Sequence, residues 1–204
     1  MKLVQDYYFH QAKRENYPAR SIYKLKEIHK HFKVFRPGMK VLDLGAAPGS
    51  WSLGAAEYIG PSGFVLGLDI KAAERGFPPQ VHMLQGDIFS PSSEFMAAIA
   101  STRPFDLVMS DLAPSTTGHR STDQARSAAL IRAALEVALA HLVKGGHFIV
   151  KFFMGPEIKA FSEELRRHFD RVKSFKPKSS RSESYESFYI ALGFKAIPPP
   201  DPGA

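Results

Sequence analysis

Six short, almost wholly apolar runs punctuate the chain: 40–45 (KVLDLG), 64–69 (FVLGLD), 81–85 (VHMLQ), 105–110 (FDLVMS), 146–152 (GHFIVKF) and 187–193 (SFYIALG). Runs of this length without polar alternation are expected of strands covered on both faces, as in a parallel sheet. The stretches between them, 50–59, 92–101, 121–143 and 156–168, carry helical patterning. Upstream, Ile22, Leu25, Ile28 and Phe32 recur at helical spacing, so 20–33 is predicted to be an amphipathic helix with Lys24, Lys26 and Lys30 on its other face. Arg36-Pro37-Gly38 ends it, and the residues before 20 are expected to be irregular. Strand and helix in alternation predict one α/β domain over 1–195 with a doubly wound, mostly parallel sheet, in which 1–36 form a basic N-terminal extension and helix. The segment 196–204, rich in proline, is expected to be disordered.

Ligands of doubly wound sheets bind beyond the carboxyl ends of the strands, so polar residues there are the candidates for chemistry. After the first run comes Asp43-Leu44-Gly45-Ala46-Ala47-Pro48-Gly49-Ser50-Trp51, whose small residues allow a tight turn close to a ligand at a helix start. The spacing is neither GxGxxG nor a phosphate-binding Gly-Lys-Ser/Thr loop, which disfavours a dinucleotide or mononucleotide site. Asp69 ends the second run and could accept the hydroxyls of an adenosine ribose; Asp87 follows the third and could accept an adenine amino group. Either aspartate could equally be a helix cap. Asp111 follows the fourth run in Ser110-Asp111-Leu112-Ala113-Pro114, and Lys151 ends the fifth, where a lysine must face an open crevice or find a structural salt bridge.

Composition narrows the possibilities. With 44% hydrophobic and 23% charged residues the chain matches an ordinary soluble domain. No apolar run approaches ~18 residues and the first twenty are charged, so a membrane span or secretory signal is not expected and a cytoplasmic protein is. Zero cysteines exclude disulfides, thiolate metal sites and cysteine nucleophiles. His29 and His31 lie two apart on a helix expected to be exposed, so no metal site is expected. The net charge of +7 is unevenly spread: +7 over 1–40, −4 over 41–165 and +5 over 166–195. Two basic ends around an acidic centre fit a polyanionic partner, or an unevenly charged solvated surface. Tyr7, Tyr8, Phe9 and Tyr17 could stack on bases, though packing is the commoner role of such residues.

Ala19-Arg20-Ser21-Ile22-Tyr23-Lys24-Leu25, the loop from Asp43 to Trp51, Ser110 to Pro114 with Gly118, Val150-Lys151, and Lys178-Ser179-Ser180-Arg181 with Glu186 occur in an order and spacing that resemble the FtsJ/RrmJ family of RNA ribose 2′-O-methyltransferases, from about Asp6 to Phe194. The resemblance implies a Rossmann-like S-adenosylmethionine methyltransferase fold and a Lys-Asp-Lys-Glu tetrad filled by Lys24, Asp111, Lys151 and Glu186. It also implies cofactor contacts at Gly49, Trp51, Asp69, Asp87 and Asp111, beside Asp43, which could meet the ligand's ammonium, and Gly45. Ser50 stands where the family often has a second glycine, and Pro18 where a basic residue is common.

The activity so implied is in-line transfer of a sulfonium methyl to a ribose 2′-oxygen, leaving S-adenosylhomocysteine and needing no metal. Lys151 would act as base or as a cation steering the hydroxyl, with Asp111 orienting it and Glu186 holding Lys24. By analogy with the family's bacterial members, the expected acceptor is a uridine of large-subunit ribosomal RNA, bound by a monomer without a membrane partner. The alternatives are a transfer RNA, a protein or small-molecule acceptor, and a ribosome-assembly protein without catalysis.

Overall fold

The computed structural model describes residues 2–115, 117–180 and 184–196. The first five apolar runs become β1 (Lys40–Leu44), β2 (Phe64–Asp69), β3 (Val81–Gln85), β4 (Phe105–Ser110) and β5 (Leu142–Phe153), and all four pairings among them are parallel. After β6 (Phe169–Phe175), the last run forms β7 (Glu186–Phe194), which inserts antiparallel between β5 and β6. The sheet has seven strands in the order β3-β2-β1-β4-β5-β7-β6. The chain leaves β1 toward β2 on one side and later returns to place β4 on the other, so the strand order reverses between β1 and β4, where ligands of such sheets bind.

The helices are α1 (Lys2–Arg14), α2 (Ile22–Phe32), α3 (Ser50–Ile59), α4 (Ser93–Thr102), α5 (Arg120–His141) and α6 (Ile158–His168). Successive strand residues face opposite sides of a sheet. Leu42, Val108, Phe148 and Val150 accordingly pack with Phe95, Ile131, Leu135, Phe161 and Leu165 of α4 to α6. Val41, Leu107, Met109, Ile149 and Ile190 pack on the other face with Ile22, Leu25 and Ile28 of α2 and Trp51, Ala55 and Ile59 of α3. The paired faces explain why the central strands lack polar alternation.

The secondary structure differs from the sequence expectation at three places. Residues 2–14 are helical rather than irregular; Tyr7, Tyr8 and Phe9 adjoin one another instead of recurring at helical spacing, so no amphipathic signal marks α1. β6, absent from the expected set, is the sheet edge, and its exposed Arg171 and Lys173 disguise it as a charge cluster, as edge strands commonly do. The helix expected over 121–143 ends at His141, and β5 begins at Leu142. The tail from 197 onward lies outside the described residues.

Leu25 is fully buried beside Lys24 and ties α2 to the sheet. Leu25→Ala is expected to lower stability by about 2–5 kcal/mol in urea unfolding; a loss under ~1 kcal/mol would show that α2 is not part of the cooperative core.

Candidate active site

Glycine conformation shapes the loop after β1. Gly45 adopts φ +81°, and a Cβ there would stand 2.8 Å from the main-chain nitrogen of Leu112, so only glycine lets this loop lie against the one after β4. The carboxyl ends of β1 to β4 enclose a cleft of about 370 Å³, with Gly45, Asp69, Gly86, Asp87, Leu112 and Arg126 in its wall. Asp69 accepts the N–H groups of Ala47 at 3.0 Å and Lys71 at 2.8 Å; Asp87 accepts that of Phe89 at 2.9 Å. Neither aspartate caps a helix, since none follows Asp69 before β3 and α4 is capped by Ser92; both instead brace loop and turn backbone and face the cleft, where carboxylate oxygens keep further lone pairs for a ligand. Gly49, Trp51 and Asp43 are not in the cleft wall. The ring of Phe77 packs where a Cβ of Gly49 would sit. Trp51 is buried, donating its indole N–H to the carbonyl of Ser21 at 2.9 Å and stacking on Phe188.

Beside the cleft, the strand register assembles four charged side chains. Parallel pairing sets Ser110 opposite Val150, which brings the next residues, Asp111 and Lys151, side by side. The Lys151 ammonium donates to the main-chain oxygen of Asp111 at 2.6 Å and lies 2.9 Å from its carboxylate Oδ1. In the antiparallel pairing Lys151 opposes Phe188 and Phe153 opposes Glu186, so Lys151 and Glu186 are diagonal neighbours on one face. α2 covers that face, and Lys24 Nζ reaches Glu186 Oε1 at 2.6 Å while lying 5.8 Å over the ring of Phe188. Lys24, expected on the polar face of its helix, is instead among the buried residues of α2 because Glu186 pairs with it there; Lys151 is buried likewise against Asp111. Burial pushes the Glu186 carboxyl up, but the charge and hydrogen bond of Lys24, followed by the charge of Lys151, outweigh it and hold the group below the ordinary glutamate range.

Asp43 is enclosed beneath the loop. One of its oxygens accepts the hydroxyl of Ser52 at 2.6 Å, and the other, Oδ1, has no hydrogen-bond partner. Burial pushes its carboxyl up to about 7 against the Ser52 hydrogen bond, and the charges of Asp111 and Asp69 add to the rise. Aspartates crowded at the strand ends repel one another, and a ligand carrying an ammonium and a sulfonium would relieve that repulsion. The orphaned oxygen and the acidic cleft thus fit S-adenosylmethionine. No cluster of His, Asp and Glu able to hold a metal lies among the described residues.

Several contributors carry no motif signal. Ser50, the departure from glycine, is buried; its hydroxyl accepts the N–H of Ala19 at 2.7 Å and donates to the carbonyl of Ala19 at 3.0 Å, fastening the segment before α2 to the loop. Glu27 on α2 accepts the N–H groups of Lys178 at 2.7 Å and Ser179 at 2.9 Å. At the end of α2, His31 and Phe32 pack on Phe175. The two basic ends of the chain are thereby joined on one side of the sheet. Arg181 lies outside the described residues. Tyr17 and Tyr8 pack, the first donating to Glu57 and the second against Tyr23, while Tyr7 and Phe9 are exposed. His29, expected to be exposed, is half-buried against Tyr58 and accepts the N–H of Phe35, because α2 lies closer to the helix after β1 than its charges suggest.

A family model described as FtsJ-like methyltransferase matches residues 17–194. The ribosomal RNA large subunit methyltransferase E of Oleidesulfovibrio alaskensis is 63% identical over 198 residues, covering 97% of this chain and 96% of that protein. The protein of the same name from Nitratidesulfovibrio vulgaris is 59% identical over 195 residues, covering 96% and 97%. A ribosomal RNA methyltransferase structure from Plasmodium falciparum superposes with a TM-score of 0.76 at 24% identity, over 89% of this chain and 100% of that one, a likeness of fold.

Two outcomes are expected. A carboxyl raised toward 7 adds stability in its neutral form below the ordinary aspartate value, and that stability is lost as pH rises through about 7. Asp43→Asn should therefore raise the melting temperature of the ligand-free protein at pH 8 and change it less at pH 5; an equal effect at both would refute the shifted carboxyl. Ser50→Gly removes two hydrogen bonds remote from the cleft. It should lower stability in urea unfolding by about 1–2 kcal/mol with little change in S-adenosylmethionine affinity by calorimetry, and an unchanged unfolding midpoint would show that the Ala19 tether is dispensable.

Proposed function

The chain belongs to the FtsJ-like methyltransferase family, and from that premise we propose that it methylates a ribose 2′-hydroxyl of large-subunit ribosomal RNA, at a uridine, with S-adenosylmethionine as donor. The observation that carries this reading is the convergence of Lys24–Glu186 and Lys151–Asp111 beside the acidic cleft. A ribose hydroxyl is a poor acid, so transfer to it calls for a proton acceptor and a means of holding the sugar; two separately anchored lysines provide both.

S-adenosylmethionine supplies a methyl made electrophilic by its sulfonium. Asp69 would bind the ribose hydroxyls of the donor and Asp87 its adenine amino group, while Asp43, enclosed beneath the loop, would act on the donor's ammonium through its charge rather than by contact. Gly45 and Gly49 would keep the loop close to it and Asp111 would bound the methyl end, while Trp51, buried against Phe188, would support the loop from beneath. Asp111 fixes Lys151 through two oxygens, and Lys151, having first given up a proton to solvent to stand as the neutral amine, would take the proton of the acceptor 2′-hydroxyl as the donor's methyl passes to that oxygen and S-adenosylhomocysteine leaves. Glu186 anchors Lys24, whose remaining donors hold the acceptor ribose. The joined basic segments grip phosphates, so substrate binding should weaken steeply with salt. The protein works as a single domain and a monomer, in the cytoplasm, on RNA of the large subunit; no helix among the described residues is long and apolar enough to cross a membrane.

The test is transfer of labelled methyl from S-adenosylmethionine to large subunits from a strain lacking this protein, with the label mapped to ribose or base. Label on a large-subunit ribose supports the reading; label only on transfer RNA or on protein overturns the acceptor. Lys151→Ala should lose about 10²-fold or more in rate while still binding S-adenosylmethionine. Lys151→Arg keeps the charge but cannot accept the proton and should be equally inactive; substantial turnover in that variant would leave Lys151 a steering cation rather than the base.

A further inference from the structure

A second cavity, of about 270 Å³, lies between the end of β5, the residues just before β7 and the start of α5, and shares no lining residue with the acidic cleft. Arg120, Gln124, Phe153, Met154, Ser184 and Tyr185 are in its wall. Its place in the ladder is telling. Tyr185 immediately precedes Glu186, and Phe153 is the residue directly opposite Glu186, two positions beyond Lys151 on the same strand. A nucleotide whose 2′-oxygen lies against Lys151 and whose sugar lies against Glu186 has its base within reach of this cavity.

The lining suits a flat, partly polar ring. Tyr185 is 58% exposed and Met154 49%, unusual for large side chains in a chain whose other apolar residues are mostly enclosed. The guanidinium of Arg120 stacks over the Tyr185 ring at 4.4 Å, so an aromatic platform and a planar donor fork sit together. Aromatic and guanidinium planes are the groups on which splayed RNA bases stack, and the fork can donate to base carbonyls. The walls are also held in place. The Met154 N–H donates to the carbonyl of Tyr185 at 3.1 Å, the Gln124 amide donates to the carbonyl of Met154, and Asp123 accepts the N–H and hydroxyl of Thr117 at 2.8 and 2.9 Å, bracing the turn before Arg120. A platform ordered before substrate arrives loses less freedom on binding.

We propose that this cavity is a nucleobase subsite that receives the base of the acceptor nucleotide, stacked on Tyr185 and hydrogen-bonded by Arg120. The assignment rests on the proposed ribose methylation of ribosomal RNA, and it makes Tyr185 and Arg120 substrate-binding residues outside the tetrad. Stacking here orients the glycosidic bond and so aims the 2′-oxygen.

The experiment uses large subunits reconstituted with the acceptor nucleotide either intact or as an abasic ribose that keeps its 2′-hydroxyl. Wild type, Tyr185→Ala and Arg120→Ala are compared on both, with S-adenosylmethionine affinity measured on each protein. On intact subunits Tyr185→Ala should lower kcat/KM about tenfold or more, and Arg120→Ala several-fold, with donor affinity unchanged. On abasic subunits the Tyr185→Ala and wild-type rates should coincide, because the stacking partner is already gone. An equal loss on intact and abasic subunits would make Tyr185 a structural support for Glu186 and overturn the subsite. Failure of wild type to label intact subunits overturns the ribosomal RNA reading and the subsite with it, whereas label without a base-dependent Tyr185 effect overturns the subsite alone.

Discussion

The pairing of Asp111 with Lys151 depends on one register. Because β4 and β5 run parallel with Ser110 beside Val150, the residues that follow emerge together at the strand ends, and a buried ammonium meets a carboxylate and a carbonyl at once. A lysine at that position without them would be a buried charge lacking compensation, which proteins rarely tolerate. The acidic cleft lies on one side of this pair, the Lys24–Glu186 pair on another, and the tight turn at Gly45 against Leu112 sets the distance between the loops that carry them.

The rest of the molecule brings distant segments to that register. α2 contributes Lys24 on its buried face and Glu27 further along, so one helix supplies both a member of the tetrad and the acceptor that holds the 178–179 backbone. Ser50 secures the segment leading into α2, and Trp51 does so a second time through Ser21. These contacts link the loop that shapes the acidic cleft to the helix that carries Lys24, giving a physical route by which the two halves of the proposed site keep a common geometry.

Much of this was legible in the sequence because the strands are fully buried and end in acidic or basic residues. Asp69, Asp87, Asp111 and Lys151 announce themselves as polar residues at the close of apolar runs, and the alternation of runs and helices already specifies the doubly wound sheet. What stayed hidden depends on tertiary packing. β6 is an edge strand whose charges mask its alternation, α1 has no helical apolar stripe, and His29 looks exposed until Tyr58 is seen against it. Ser50 and Glu27 bind backbone groups, and a backbone partner leaves no mark in composition or spacing. Asp43 was legible as the aspartate that opens the loop motif, but not its enclosure beneath the loop or its unpartnered oxygen.

The Lys24–Glu186 pair joins the first helix of the buried face to the last strand of the sheet, and β7 lies in the interior of the sheet between strands made before it. During synthesis, then, a nascent chain carries α2, the cleft loop and Lys151 long before it carries the carboxylate that neutralises Lys24. Until β7 slots between β5 and β6 the cationic face is incompletely balanced and one interior edge of the sheet stands open. On the proposed reading, a complete tetrad is for that reason a late property of the growing polypeptide, acquired in the same step that closes the sheet.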